Sequence, residues 1–144
     1  MLVAGPAAAQ TAPRGLRGAA APLVLGAVTA AATVYVALVD PNRPGHYITC
    51  PLLSLTGWYC AGCGALRATH DLAHLDVAGA WSMNPLWVLL APLLVVGWFA
   101  WVVRAWRGRS GRGLPMWSAW VLLGVLVGYS VLRNVPALAP WLAP

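Results

Sequence analysis

Cys60 and Cys63 stand at Cys-x-x-Cys spacing in a stretch that also carries Cys50, Arg67, His70, Asp71 and His74. Paired thiols at that spacing suit two chemistries, disulfide exchange and coordination of a soft cation. For exchange, a cysteine at a helix start beside an arginine has its thiolate favoured, and Cys50 supplies a third, resolving thiol. No thioredoxin-like alternation of strands and helices surrounds the motif. For coordination of zinc or iron, Cys60, Cys63, His70 and His74 are suitable ligand types. On one straight helix, however, Cys60 and His74 would be about 21 Å apart, so one ion joins them only if the chain turns at Gly62–Gly64. A smaller set of Cys50, Cys60 and Cys63, with His74, is geometrically easier. In a third reading the loop is structural, pinned by a Cys60–Cys63 or Cys50–Cys60 disulfide or by buried thiols. Arg67 then caps carbonyls or pairs with Asp71 or Asp76, and the histidines are solvated. The residues alone leave all three open.

What must position these residues is a helix. From Gly64 to Leu75 the pattern has helical period, and 100° per residue puts Arg67, His70, Asp71 and His74 on one stripe. Ala65, Ala68, Leu72 and Leu75 fall opposite. Counting backwards places Cys60 and Cys63 on the polar stripe as well. The expectation is one short amphipathic helix at a membrane surface, with Gly62 and Gly64 loosening its start into a turn that aims backbone N–H groups outward.

The membrane follows from composition. Hydrophobic residues make up 60% of the 144-residue chain and charged residues 8%, with a mean hydropathy of +0.73. A soluble domain carries about 25% charged residues, so this surface would not stay solvated in water. Three apolar runs are long enough to matter: 19–39, 85–103 and 117–132. Asn84 and Pro85 open the second as N-cap and first helical residue. Pro22 is placed in the first turn of the first run, where a missing N–H costs least. The third is short, and snorkelling of Arg133 with the apolar segment after it makes up the length. The predicted fold is an all-α integral membrane protein with three transmembrane helices and a short interfacial helix between the first two. Residues 1–18 form a flexible cytoplasmic tail, 19–144 a single membrane domain, and 40–84 the cysteine-containing loop.

Charge sets the expected direction. All nine basic residues are Arg, and the net charge is +6. Arg14, Arg17, Arg104, Arg107, Arg109 and Arg112 flank the apolar runs on one side, which by the positive-inside bias is the cytoplasm. Arg43, Arg67, Arg133 and all three acids, Asp40, Asp71 and Asp76, fall on the other. Trp98, Trp101, Trp106, Trp117 and Trp120 mark the inner boundary, and Trp58, Trp81, Trp87 and Trp141 the outer one. The N-terminus is expected inside and the cysteine loop outside. Arginines placed this way are topology signals and do not form a nucleic-acid face. Gly124 and Gly128, and more weakly Gly26 and Ala30, allow close helix approach within the fold, toward a partner protein or toward a second copy.

The loop residues Cys50-Pro51, Thr56-Gly57, Cys60-Ala61-Gly62-Cys63-Gly64, Arg67-Ala68, Asp76 and Asn84-Pro85 together resemble the bacterial membrane family known as domain of unknown function 2752. The resemblance covers 49–94. Ala61 stands where Pro is common, and Leu66 where Thr usually precedes the Arg. The family carries no assigned activity, so the resemblance implies a bacterial inner-membrane location and the fold, but no reaction. The chain has no Ser-His-Asp order, no paired acids and no phosphate-binding glycine loop, and it leans away from an enzyme. The expected role is an accessory or assembly protein in the lipid bilayer presenting an extracytoplasmic Cys-x-x-Cys/Arg loop. Thiol redox through Cys60 and Cys63 is the alternative, and zinc or iron binding the second; no cofactor is required by the first.

Overall fold

A computed structural model describes residues 15–43, 45, 47, 50–109, 113 and 115–144. Residues 1–14 of the tail expected over 1–18, with Arg14, and Arg112 of the inner loop lie outside the described residues. Seven helices form in chain order: α1 Leu16–Leu38, α2 Pro51–Thr56, α3 Ala65–Ala73, α4 Val77–Met83, α5 Pro85–Trp106, α6 Met116–Arg133 and α7 Ala139–Leu142. Among the described residues there are no strands. Three helices, α1, α5 and α6, are long and apolar enough to cross a membrane, as the apolar runs imply.

The first span begins earlier than expected. Gly15 takes φ 67° and starts α1 at Leu16, and its N–H donates to the carbonyl of Trp106 at the end of α5, 2.9 Å away. Pro22 is therefore interior to the helix and not in its first turn. It is fully buried there, and its carbonyl accepts the indole N–H of Trp98 at 2.8 Å. Trp98 thus ties α1 to α5 and does not serve only as an interface marker. Gly26 lies under the Trp98 ring, where a Cβ would collide with the indole. The close approach expected at Gly26 is met by a side chain from α5.

Asn84 starts α5 by accepting from the Trp87 N–H at 3.0 Å, with Pro85 next. Both residues do what their types suit them for at a helix start. The interval between the first two spans holds three short helices where one was expected. Cys50 precedes Pro51 at the start of α2, and Gly57 at φ 72° ends it. Asp76 caps α4 by accepting from the Gly79 N–H at 2.8 Å. Helix α3 ends in two paired bonds, Leu75 N–H to Leu72 O at 3.1 Å and Asp76 N–H to Asp71 O at 2.9 Å. This is the termination usually made with glycine in the left-handed position, yet here Leu75 holds it at φ 63°. A left-handed non-glycine residue costs about 1–2 kcal/mol, so α3 is cut off even against that strain. Leu75 leaves the apolar side of α3 and is 87% exposed.

Helix α1 packs along α5, and α3 is wedged against α1, α4 and α5. Helix α6 joins differently. Its shaft is exposed from Met116 through Val127 on most sides, and nothing lies within 4 Å of a Cβ added at Gly124 or Gly128. It meets the rest of the molecule through its C-terminal end. Arg133 does not snorkel outward as expected; it turns inward and is 0% exposed.

Replacing Gly26 with Val is expected to force the Trp98 indole off the Pro22 carbonyl and to destabilise the α1–α5 pair by about 1–3 kcal/mol, the range for overpacking a filled site. Thermal unfolding in detergent, followed by tryptophan fluorescence, checks it. A variant as stable as the parent, with unchanged fluorescence, would refute the packing.

Candidate metal centre

The chain does not run from Cys60 into α3 as one helix. Gly64 caps α3 at φ 79°, and residues 60–64 form two successive turns, Cys63 N–H to Cys60 O at 3.1 Å and Ala65 N–H to Gly62 O at 3.0 Å. The expected stripe joining Cys60 and Cys63 to Arg67 is broken there. The same turn lets the thiols converge. The three Sγ atoms of Cys50, Cys60 and Cys63 lie within 4.8 Å of one another, with Cys50–Cys60 at 3.6 Å and Cys60–Cys63 at 3.3 Å. The Cys60 N–H also points at the Cys63 sulfur, 3.3 Å away.

Three carbonyls of this region have no helical partner, and one side chain collects them. The Arg133 guanidinium donates through Nη1 to Cys60 O at 3.0 Å and Cys63 O at 2.7 Å, and through Nη2 to Met83 O at 3.2 Å. Its Nε is buried with no hydrogen-bond partner. The Tyr129 and Tyr59 rings flank it, with centroids 5.3 and 5.9 Å from Cζ. Among the described residues no carboxylate pairs with it. Beside it Asn84, also 0% exposed, uses its amide N–H groups on Ala61 O at 2.8 Å and Cys63 O at 3.1 Å. Its oxygen accepts from the Trp87 N–H and, at 3.3 Å, from the Tyr129 hydroxyl. Asn134 grips Tyr59 by both backbone groups, accepting its N–H at 3.0 Å and donating to its carbonyl at 2.9 Å. The turn that carries the thiols is therefore held by the ends of two spans.

The other candidate residues sit apart. His70 points its Nδ1 at the Val36 carbonyl, 2.9 Å away, with Nε2 3.8 Å from Asp40. His74 Nδ1 lies 2.8 Å from the His70 carbonyl, and the two imidazoles are 4.4 Å apart. The His70 ring latches α3 to the end of α1, the His74 ring stacks back on it, and the structure does not bring either to the cysteines. Arg67 pairs with neither Asp71 nor Asp76; its Nη1 contacts the Met83 sulfur at 3.8 Å. Asp71 is partly sheltered, and burial raises its pKa, with the nearby Asp76 charge adding to it. Gly62 and Gly64 shape the turn, and Pro85 is buried behind Asn84. Arg133, Asn134, Tyr59 and Tyr129 were not among the residues that spacing singled out. One signal was available: Arg-Asn closing an apolar run too short to leave an arginine free in lipid.

The thiols are electrostatically unequal. The Leu53 backbone N–H lowers the Cys50 pKa despite some burial. Burial pushes the Cys63 thiol up to about 12, helped by its hydrogen bond with Cys60. Chemically the cluster offers three soft donors on one side of a small space. With metal–sulfur bonds of about 2.3 Å, tetrahedral zinc spreads its sulfurs about 3.8 Å apart. The observed separations are close to that and well beyond a disulfide of about 2.05 Å.

In metal-free, reduced protein, alkylation by a small maleimide over about pH 7 to 9 is expected to modify Cys50 first and Cys63 last, because the thiolate is the nucleophile. Peptide mass spectrometry reads the order, and modification of Cys63 ahead of Cys50 would contradict the assigned environments. Arg133→Ala leaves three carbonyls without their cationic donor, each such bond being worth about 1.5–3 kcal/mol. The expected result is protease-sensitive release of the 57–64 turn, with the spans still membrane-inserted. An unchanged cleavage pattern would show that the clamp is dispensable.

No curated protein and no solved structure matches the chain. Residues 50–98, from the first cysteine of the cluster to the tryptophan that ties α5 to α1, match the family model described as protein of unknown function (DUF2752), so the family resemblance carried by the cysteine loop is shown over that segment.

Proposed function

We propose that this protein is a membrane-anchored holder of a thiophilic divalent metal ion, zinc or iron, bound by Cys50, Cys60 and Cys63. The observation that carries the reading is the convergence of the three Sγ atoms within 4.8 Å. Charge supports it. A buried guanidinium without a counter-ion is costly by several kcal/mol, and the backbone that Arg133 grips is the backbone that bears Cys60 and Cys63. Three thiolates around a divalent cation carry one net negative charge, which Arg133 neutralises. A disulfide or three neutral thiols would leave that cation uncompensated. A coordinated thiol is deprotonated outright, so the ion's charge must overcome the burial that raises the Cys63 pKa.

The positive-inside distribution of arginines supports a centre on the extracytoplasmic face of a bacterial inner membrane, with the N-terminus in the cytoplasm. There the protein acts as an accessory factor, keeping or presenting the ion for a membrane partner. Thiol–disulfide exchange is the second reading, favoured by the lowered pKa of Cys50 and its 3.6 Å separation from Cys60.

The test is metal content and cobalt spectroscopy of detergent-purified protein. About one zinc or cobalt per chain is expected, with a thiolate-to-cobalt charge-transfer band that weakens in each of Cys50→Ser, Cys60→Ser and Cys63→Ser. His70→Ala and His74→Ala are expected to keep full loading. Folded wild-type protein that takes up no metal, and whose maleimide labelling rises only after mild reduction, would replace this reading with the redox one.

A further inference from the structure

Beside the thiol cluster lies a cavity of about 460 Å³ whose wall includes Cys50, Cys63, Arg43, Arg67, Tyr47 and Leu66. Two features make it more than a surface dent. First, two of the three thiols border it, so anything seated there reaches the cluster from its open side. Second, the wall is cationic beyond its own compensation. Arg43 is 3.8 Å from Asp40 with its side chain 76% exposed, and that carboxylate is already engaged by the Asn42 backbone and side-chain N–H groups. Arg67 is half-buried, and among the described residues its side chain hydrogen-bonds the Met83 sulfur alone, a weak acceptor that leaves its remaining donors unmatched. Among the described residues it makes no ion pair. An arginine fork without an acceptor oxygen, set in a cavity of ligand size, is built for a carboxylate or similar anion.

A three-cysteine centre leaves one position of a tetrahedral ion open. We infer that this cavity admits a small thiol carboxylate, whose acid group is bound by Arg67 with Arg43 and whose sulfur takes the fourth position on the metal. This rests on the metal reading of the cysteine cluster. The step is ligand exchange without electron transfer: the incoming thiol loses its proton to solvent, a metal–sulfur bond forms, and a coordinated water leaves. The arginines would thereby select which exogenous thiols can collect or deliver the ion.

The experiment uses cobalt-loaded full-length protein in detergent, titrated with mercaptoacetate and, separately, with uncharged 2-mercaptoethanol, read by the cobalt d–d bands. Mercaptoacetate is expected to bind about tenfold more tightly, one charge-assisted contact being worth that factor in a partly exposed site. In Arg67→Gln that preference collapses toward unity, while cobalt loading and the affinity for mercaptoethanol stay at wild-type values. Equal affinities in the wild type overturn the inference. So does a preference that survives Arg67→Gln, which would come from chelation by the carboxylate alone. These failures leave cobalt loading intact and so differ from failure of the metal reading, in which the wild type shows no cobalt–thiolate band at all.

Discussion

One buried cation organises this molecule. The turn from Tyr59 to Gly64 bonds the Cys60 and Gly62 carbonyls to nearby backbone N–H groups, but the Tyr59, Ala61 and Cys63 carbonyls take their hydrogen bonds from side chains. Unpaired buried carbonyls each cost free energy comparable to a lost hydrogen bond. Arg133 donates to three carbonyls at once, across two separate segments of chain. A lysine would bring a point charge on a flexible stem, whereas the planar fork of arginine spreads donors over an arc that matches divergent carbonyls. The flanking Tyr59 and Tyr129 rings add a face-on environment that suits a guanidinium.

The consequence is a division of labour among the spans. Helices α1 and α5 are held by packing, with Trp98 lying over Gly26 and bonding the Pro22 carbonyl. In lipid no hydrophobic driving force distinguishes a neighbouring helix from the surrounding acyl chains. Helix α6, with little shaft contact, is instead attached by polar bonds at its end, where Arg133, Asn134 and Tyr129 meet the cysteine turn and Asn84. Those bonds are strong because water is largely excluded there. The third span thus acts as an anchor for the loop more than as a wall of a bundle.

The thiol cluster inherits its geometry from that attachment. Cys60 and Cys63 are carried on backbone that three side chains from α5 and α6 grip directly, while Cys50 enters from the start of α2. A site whose donors are placed by buried, hydrogen-bonded groups is preorganised and has little to rearrange when a ligand arrives. The positive charge that secures the backbone also offsets the negative charge that a thiolate centre would bring. Structural and chemical requirements are met by the same guanidinium.

Much of this was written locally in the chain. Apolar run length and the scarcity of charge determine three membrane-crossing helices, since no other arrangement hides so much apolar surface or so little polar backbone. Asn84-Pro85 determines where α5 begins, because a cap acts on its own next residues. The Cys-x-x-Cys spacing and Cys50 name the thiols without help from the fold. What local pattern misplaced was anything decided across distance. Helical counting carried Cys60 and Cys63 onto the stripe of α3, but the left-handed Gly64 stops the helix, and the turn it makes brings Cys50 to them instead. His70 and His74 have ligand chemistry, yet packing of α3 on α1 commits His70 to the Val36 carbonyl and Asp40, and His74 turns back onto the His70 carbonyl. Arg133 reads as a snorkelling terminus because its partners lie about seventy residues away in sequence. Only the tertiary structure could turn it inward, since only there do the Cys60, Cys63 and Met83 carbonyls gather at a point that a single fork of donors can reach.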